Sequence, residues 1–274
     1  MIRSVMVRFF LGFAVLVGAF WLPDMVAKAE IVPHRAIYSL SLGDSGSSGR
    51  FVNVGGGVRT TLERTCDAWI SAEQIKMLVE TQSGARLQQN LAYTGWESLD
   101  GRQYRFAARS STGTEKKNYR GQARSHPKNS GEAVYTKPKK MTQKLPPDTH
   151  FYFGLVSWVI EKAKAGVSRA ETTVFDGTDE EGVQRVSAFI VPLKGKKAKP
   201  EDEKDSGLGP LVKRPGWTIR LAFYPVDSRG GAPEYEVQAD ILDNGVTPKM
   251  ELIFSDFTAI QKLEKIEALK RPDC

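Results

Sequence analysis

The sequence predicts a mainly β protein: roughly ten or more short antiparallel strands curled into a barrel or sandwich, with one long inserted α-helix. Three observations carry this prediction. Apolar and polar residues alternate over many short runs. Turn pairs such as Asp100-Gly101 and Asn244-Gly245 separate those runs. One stretch alone, residues 148–165, changes to helical spacing.

The first 29 residues read as a cleavable signal peptide. Arg3 and Arg8 form a charged start, residues 9–22 are uncharged and apolar, and Ala27-Lys28-Ala29 supplies small residues at a cleavage site. The apolar run is shorter than the ~20 residues that span a bilayer. Pro23 and Asp24 break it, and no cysteine follows it to take a lipid anchor. Cleavage leaves Glu30 as the first residue of a soluble, exported chain. Residues 30–274 are expected to form a single domain, with no transmembrane span in the mature chain.

The strands follow in order. Residues 36–42 (AIYSLSL) place Tyr38, Leu40 and Leu42 on one face. A Gly/Ser loop follows, and Gly55-Gly56-Gly57 reads as a turn or bulge. Residues 58–70 alternate through Thr60, Leu62 and Arg64, which puts Cys66 in a strand or at its end. Ile75, Met77 and Val79 alternate next. Residues 93–111 form a hairpin turning at Asp100-Gly101. A second hairpin, residues 171–193, turns through the acidic tip FDGTDEEG. Residues 216–225 and 234–260 supply further strands, and the C-terminal residues are expected to form a weak edge. There Leu263, Ile266 and Leu269 are sparse and Pro272 cannot donate to a ladder.

The helix is expected over residues 148–165, with Asp148 or Thr149 as N-cap and Gly166 as the stop. Phe151, Leu155, Val159 and Ala163 recur at helical spacing with Trp158 beside them, a face that should pack inside or across a curved sheet.

The formal net charge is +7, and loss of the leader lowers it by two. The basic excess lies in EKKNYRGQARSHPKNSG, KPKKMTQK and LKGKKAKPEDEKD, whose Pro, Gly, Asn and Ser content reads as solvated loops. The last includes the Lys-rich loop 194–205, a mobile insertion within the domain. Export argues against a nucleic-acid partner, while contact with anionic lipid headgroups suits such loops.

The two cysteines, Cys66 and Cys274, lie far apart in the chain. Outside the cytosol a pair of cysteines usually forms a disulfide, and two allow a single connectivity. Free buried thiols and a metal site are the competing readings. Neither cysteine has a second Cys or His at ligand spacing.

Motifs for catalysis, metals or cofactors are lacking. Gly43-Asp44-Ser45-Gly46 is similar to the nucleophile segment of trypsin-like proteases, but these need a His and an Asp well upstream, and the mature chain there has only His34. GLVSW lacks the second Gly of a nucleophile elbow. His34, His126 and His150 are scattered and read as surface or capping residues. Asp176, Asp179, Glu180 and Glu181 depart from calcium-loop spacing and read as a hairpin tip. No catalytic, cofactor-binding or metal residue is assigned.

Seven segments, taken together and in order, resemble the EipB family of exported cell-envelope integrity proteins. They are HRAIYSLSL, TCDAW, LPPDTHFYFGLVSWVIEKAKAG, FDGTDE, LAFYP, EYEVQADILDNGV and the closing KLEKIEALKRPDC. The resemblance covers nearly the whole mature chain. It implies an open β-spiral, an incomplete antiparallel β-barrel of about fourteen strands with an inserted helix, similar to the LolA, LolB and RseB type. It also implies a Cys66–Cys274 disulfide, a periplasmic location and a part in stress resistance, without catalytic residues. The leading expectation is a non-enzymatic protein that binds an envelope partner or lipophilic ligand on its concave sheet. A periplasmic lipid or lipoprotein carrier is the alternative, and an envelope hydrolase is the third reading. Partners would be periplasmic or outer-membrane proteins, or lipids.

Overall fold

Successive side chains of a strand point to opposite sides of its sheet, so each alternating run has one inward and one outward set. In the computed structural model, residues 30–45, 49–193, 208–228 and 230–274 are described. The leader 1–29 and the Lys-rich loop 194–205 lie outside them. The first half of the chain is a meander: β1 (His34–Leu42), β2 (Phe51–Arg64), β3 (Ala68–Thr81), β4 (Arg86–Ser98), β5 (Gln103–Thr112), β6 (Glu115–Arg124), β7 (Gly131–Lys137) and β8 (Met141–Leu145). Helix α1 (Tyr152–Lys164) follows. The second half adds β9 (Arg169–Phe175), β10 (Val183–Pro192), β11 (Gly216–Pro225), β12 (Tyr235–Leu242), β13 (Lys249–Ile253) and β14 (Thr258–Ala268).

All fourteen strands belong to one antiparallel sheet in the order β8-β7-β6-β5-β4-β3-β2-β1-β14-β13-β12-β11-β10-β9. The two halves join where β1 pairs with β14, from His34 opposite Ala268 to Leu42 opposite Ala259. The sheet is nearly closed into a barrel, and its unsealed seam lies between β8 and β9. That seam is bridged without a strand ladder. The His150 N–H donates to the Thr173 carbonyl and the Phe175 N–H to the His150 carbonyl, both at 2.9 Å. The Tyr104 hydroxyl donates to the Asp176 carbonyl (3.0 Å) and the Tyr135 hydroxyl to the Asp179 carbonyl (2.8 Å). Tyr104, Phe106, Tyr135, Phe151 and Phe175 pack in one aromatic cluster beneath these bonds.

Three expectations are corrected. Two of the three basic segments read as loops hold β6 and most of β8, while the third, from residue 194 on, lies outside the described residues. The inward positions of β6, β7 and β8, Tyr119, Ala123, Ala133, Tyr135 and Leu145, are buried, while Lys116, Arg120, Arg124 and Lys144 face outward. The C-terminal strand is no edge, because β14 is held by β1 on one side and β13 on the other. Residues 55–57 lie within β2, where Gly56 has φ 144° and a Cβ would meet the Lys76 carbonyl oxygen at 2.1 Å.

Helix α1 fills the concave side of β9–β12. Val159, Ile160 and Ala163 are buried against Val186, Ala188, Ile190, Ile219 and Leu221. Val159 and Ala163, with Phe151 just before the helix, are buried as expected, and Ile160 joins them. Trp158 and Leu155 are only half-buried, and the helix starts at Tyr152 rather than at Asp148. Its N-cap residue is Phe151, which offers no side-chain cap.

Candidate functional site

Helix α1 leaves the inner faces of β1–β4 and β13–β14 uncovered. Among the inward residues there are several polar ones: His34 and Tyr38 from β1, Thr60 from β2, Ser71 and Glu73 from β3, and Gln261 from β14. With Tyr93 and Tyr152 they line a cavity of about 130 Å³. Tyr152 points into the barrel yet keeps 37% of its surface accessible, because it faces open space. Its hydroxyl donates to Glu73 Oε2 at 3.4 Å. Burial raises the Glu73 carboxyl above its ordinary range, and the Tyr152 bond opposes that shift. His34 is held low by burial and bonds through Nδ1 to the Val32 carbonyl at 2.7 Å. It is thus an interior residue, not the surface or capping histidine expected. Burial pushes Tyr38 up to about 12. The space suits several ordered waters bridging these groups.

A larger groove, about 540 Å³, opens at the mouth of the barrel. Its floor is apolar: Trp69 stacks on Phe153 at 4.3 Å and 21°, with Ile31 and Leu99 beside them. Its rim is charged. The Arg64 guanidinium sits 5.2 Å over the Trp69 ring, and Glu161 and Arg271 stand across from it. Arg271 donates to Glu30 Oε1 (3.2 Å) and to the Ile31 carbonyl (3.0 Å). Phe153 lines both the groove and the interior cavity, so its ring divides them.

Cys274 forms part of the groove wall. Cys66 lies in the turn between β2 and β3, at the end of a strand as expected. The structure brings the two cysteines to disulfide distance, with Cα atoms 5.7 Å apart. The groove is thus bounded by the chain's last residue and by Glu30 and Ile31.

Phe153 is positioned by a residue that sequence reasoning missed. Glu97 in β4 is 3% exposed. Its Oε2 accepts the Phe153 N–H and its Oε1 the Gly154 N–H, both at 2.9 Å. These are orphan donors of the first helical turn, and α1 has no acidic residue of its own there. A carboxylate also complements the positive end of the helix dipole. Burial dominates nonetheless and raises the Glu97 carboxyl to about 8, with the two N–H bonds pulling the other way. A Cβ on Gly154 would lie 3.0 Å from Glu97 Oε1, so the small residue permits this approach. The available signal was an acid at an inward position of a strand, in register with Tyr93 and Gly95.

The other residues singled out in the sequence do not converge. His126 is exposed, His150 bridges the seam and His34 lines the cavity. Asp44 and Ser45 lie in the loop after β1, and residues 46–48 fall outside the described ones. Asp176 and Asp179 build the β9–β10 turn: Asp176 Oδ1 accepts the Thr178 N–H (2.9 Å) and Asp179 Oδ1 the Gly182 N–H (2.6 Å). Among the described residues no three His, Cys, Asp or Glu side chains come together as a metal site.

Three comparisons bear on this arrangement. The profile of the EipB-like family matches residues 25–270. The chain is 28% identical over 252 residues to the cell envelope integrity protein EipB of Brucella abortus (strain 2308), covering 88% of this chain and 85% of that one. It is also similar to the crystal structure of a β-barrel-like protein, of a domain of unknown function, from Brucella abortus. That match has a TM-score of 0.78 at 23% identity over 88% of this chain and all of the other.

Proposed function

The chain belongs to the EipB-like family, and from that premise we propose that it is a non-enzymatic periplasmic protein supporting cell-envelope integrity through a ligand held in the mouth groove. On this reading the leader is removed after Ala29, residues 30–274 act as one domain, and Cys66 and Cys274 form a disulfide. The ligand is an amphiphile or an apolar partner segment. One observation carries the reading: a groove of about 540 Å³ has an aromatic floor and a charged rim, the make-up of sites that bury an apolar body and orient a polar end. The kinship with a cell envelope integrity protein supports the physiological role. Carriage of an acyl chain inside the barrel is less well supported. The interior space is about 130 Å³, and hydrocarbon there would have to desolvate Glu73 and the tyrosine hydroxyls.

The test is occlusion. Ser157 lines the groove from a half-buried helix position, so Ser157→Trp should fill the groove and leave the core intact. Native mass spectrometry of protein taken from the envelope fraction should show a bound mass with the parent and none with the variant. The variant should also fail to restore detergent resistance to a strain lacking the gene. Full rescue by a folded Ser157→Trp chain would refute the reading.

A further inference from the structure

The outward side of β5 and β6 is charged in one sense only. Alternation places Arg105 and Arg109 of β5 and Lys116, Arg120 and Arg124 of β6 on the outer surface, and all five are exposed. The same faces of β5 and β6 carry no acid. Glu132 of β7, in register with Arg124, is the acid beside them, and no ion pair forms between the two among the described residues. On β11 and β13, by contrast, cations meet acids: Arg220 lies 2.7 Å from Glu236 and Lys249 2.6 Å from Glu251. Folding therefore separates charge, leaving the outside of β5–β6 without local compensation.

This face also has relief. Trp96, Arg105, Ala107, Arg120 and Val134 surround an outer hollow of about 400 Å³. The Arg105 guanidinium lies 4.7 Å over the Trp96 ring. An indole with one wet side beside cationic side chains suits the boundary between headgroups and acyl chains.

We propose that the outward face of β4–β6 docks on the phosphate headgroups of an anionic bilayer surface. Charge complementarity selects an anionic partner. The dimensions favour a surface over a single acidic segment, since Lys116 to Arg124 spreads the charge over roughly 27 Å of one strand, and neighbouring strands extend it sideways. Docking here leaves the mouth groove free, so this inference does not depend on what the groove holds.

The experiment uses the chain from Glu30 and co-sedimentation with vesicles of phosphatidylcholine, with or without phosphatidylglycerol. The parent should bind the anionic vesicles, release them as salt rises, and ignore pure phosphatidylcholine. Each surface cation is worth about a factor of five in partitioning, so Arg105→Gln with Arg120→Gln should weaken binding roughly thirtyfold. The melting curve should be unchanged, because both side chains are exposed. Arg220→Gln, on the opposite face, should bind as the parent does. Equal binding by the double variant, equal loss with Arg220→Gln, or an arginine-dependent affinity for soluble polyglutamate without vesicle binding would each overturn the proposal, the last in favour of an acidic macromolecule.

Discussion

Replacing Glu97 with Gln tests how the helix is held, and the effect has a sign that depends on pH. Burial raises the folded-state carboxyl to about 8 from an ordinary 4.5. Between those values the native chain keeps a proton that the unfolded chain has lost. Stability from this group is therefore complete below the unfolded value and is lost as pH rises through the folded one. The interval from 4.5 to about 8 corresponds to about 5 kcal/mol at 1.36 kcal/mol per unit. Gln cannot ionise. Its carbonyl still accepts one N–H of α1, but its amide nitrogen faces the other, at a cost of about 1–2 kcal/mol. At about pH 3.5, below the unfolded value, the variant should be less stable than the parent by that amount. At about pH 9 it should be more stable, by about 3 kcal/mol. Burial also raises Glu73 and Asp176, so the parent alone would slope in the same sense from several groups. The difference between the two chains isolates Glu97. Urea unfolding followed by tryptophan fluorescence across this pH range measures it. Two parallel stability–pH curves would refute the reasoning.

Further outcomes follow from the same structure. Cys274→Ser should lower stability by up to about 5 kcal/mol, the chain-entropy value for so long a loop; thiol titration of denatured, unreduced parent should find none free, and two per chain would refute the cross-link. Ile160, fully buried, should cost about 2–5 kcal/mol when changed to Ala, and half-buried Trp158→Ala should cost less than Ile160→Ala in the same melts. N-terminal sequencing of protein from the envelope fraction should begin at Glu30; an intact Met1 would refute export by this leader.

The strands most legible in the sequence were those whose outward residues are neutral or mixed. Tyr38 and Leu40 announce β1, and Asp100-Gly101 announces the β4–β5 hairpin, because both signals are local. β6 was hidden by its own chemistry. In KKNYRGQAR the buried inward set is Tyr119 with the small residues Gly121, against Phe106, and Ala123, so the cations dominate the pattern. The fate of β14 was hidden for another reason. Its partner β1 lies more than two hundred residues away in sequence, and alternation in one strand says nothing about who pairs with it. The groove was half legible. Cysteine count pointed to Cys66 and Cys274, but Glu97 reads as one more strand acid until α1 is seen to bring two bare N–H groups to it.

The path of the chain from β8 to β9 argues for a ligand at the mouth rather than inside. That connection runs through α1 on the concave side instead of through a hairpin, so it leaves the seam unpaired and fills the space the seam would open. Any enlargement of the interior must withdraw Phe153, the ring between groove and cavity. Phe153 is tied to Glu97 through its own N–H, and Gly154 through the next. Releasing both in a buried setting leaves two N–H groups unmet, at about 1–3 kcal/mol each, besides exposing Val159, Ile160 and Ala163 from the core. A ligand resting on Trp69 and Phe153 from outside incurs none of that cost. The same contacts that stabilise the helix therefore restrict access to the barrel and leave the groove as the accessible apolar surface at this end of the molecule.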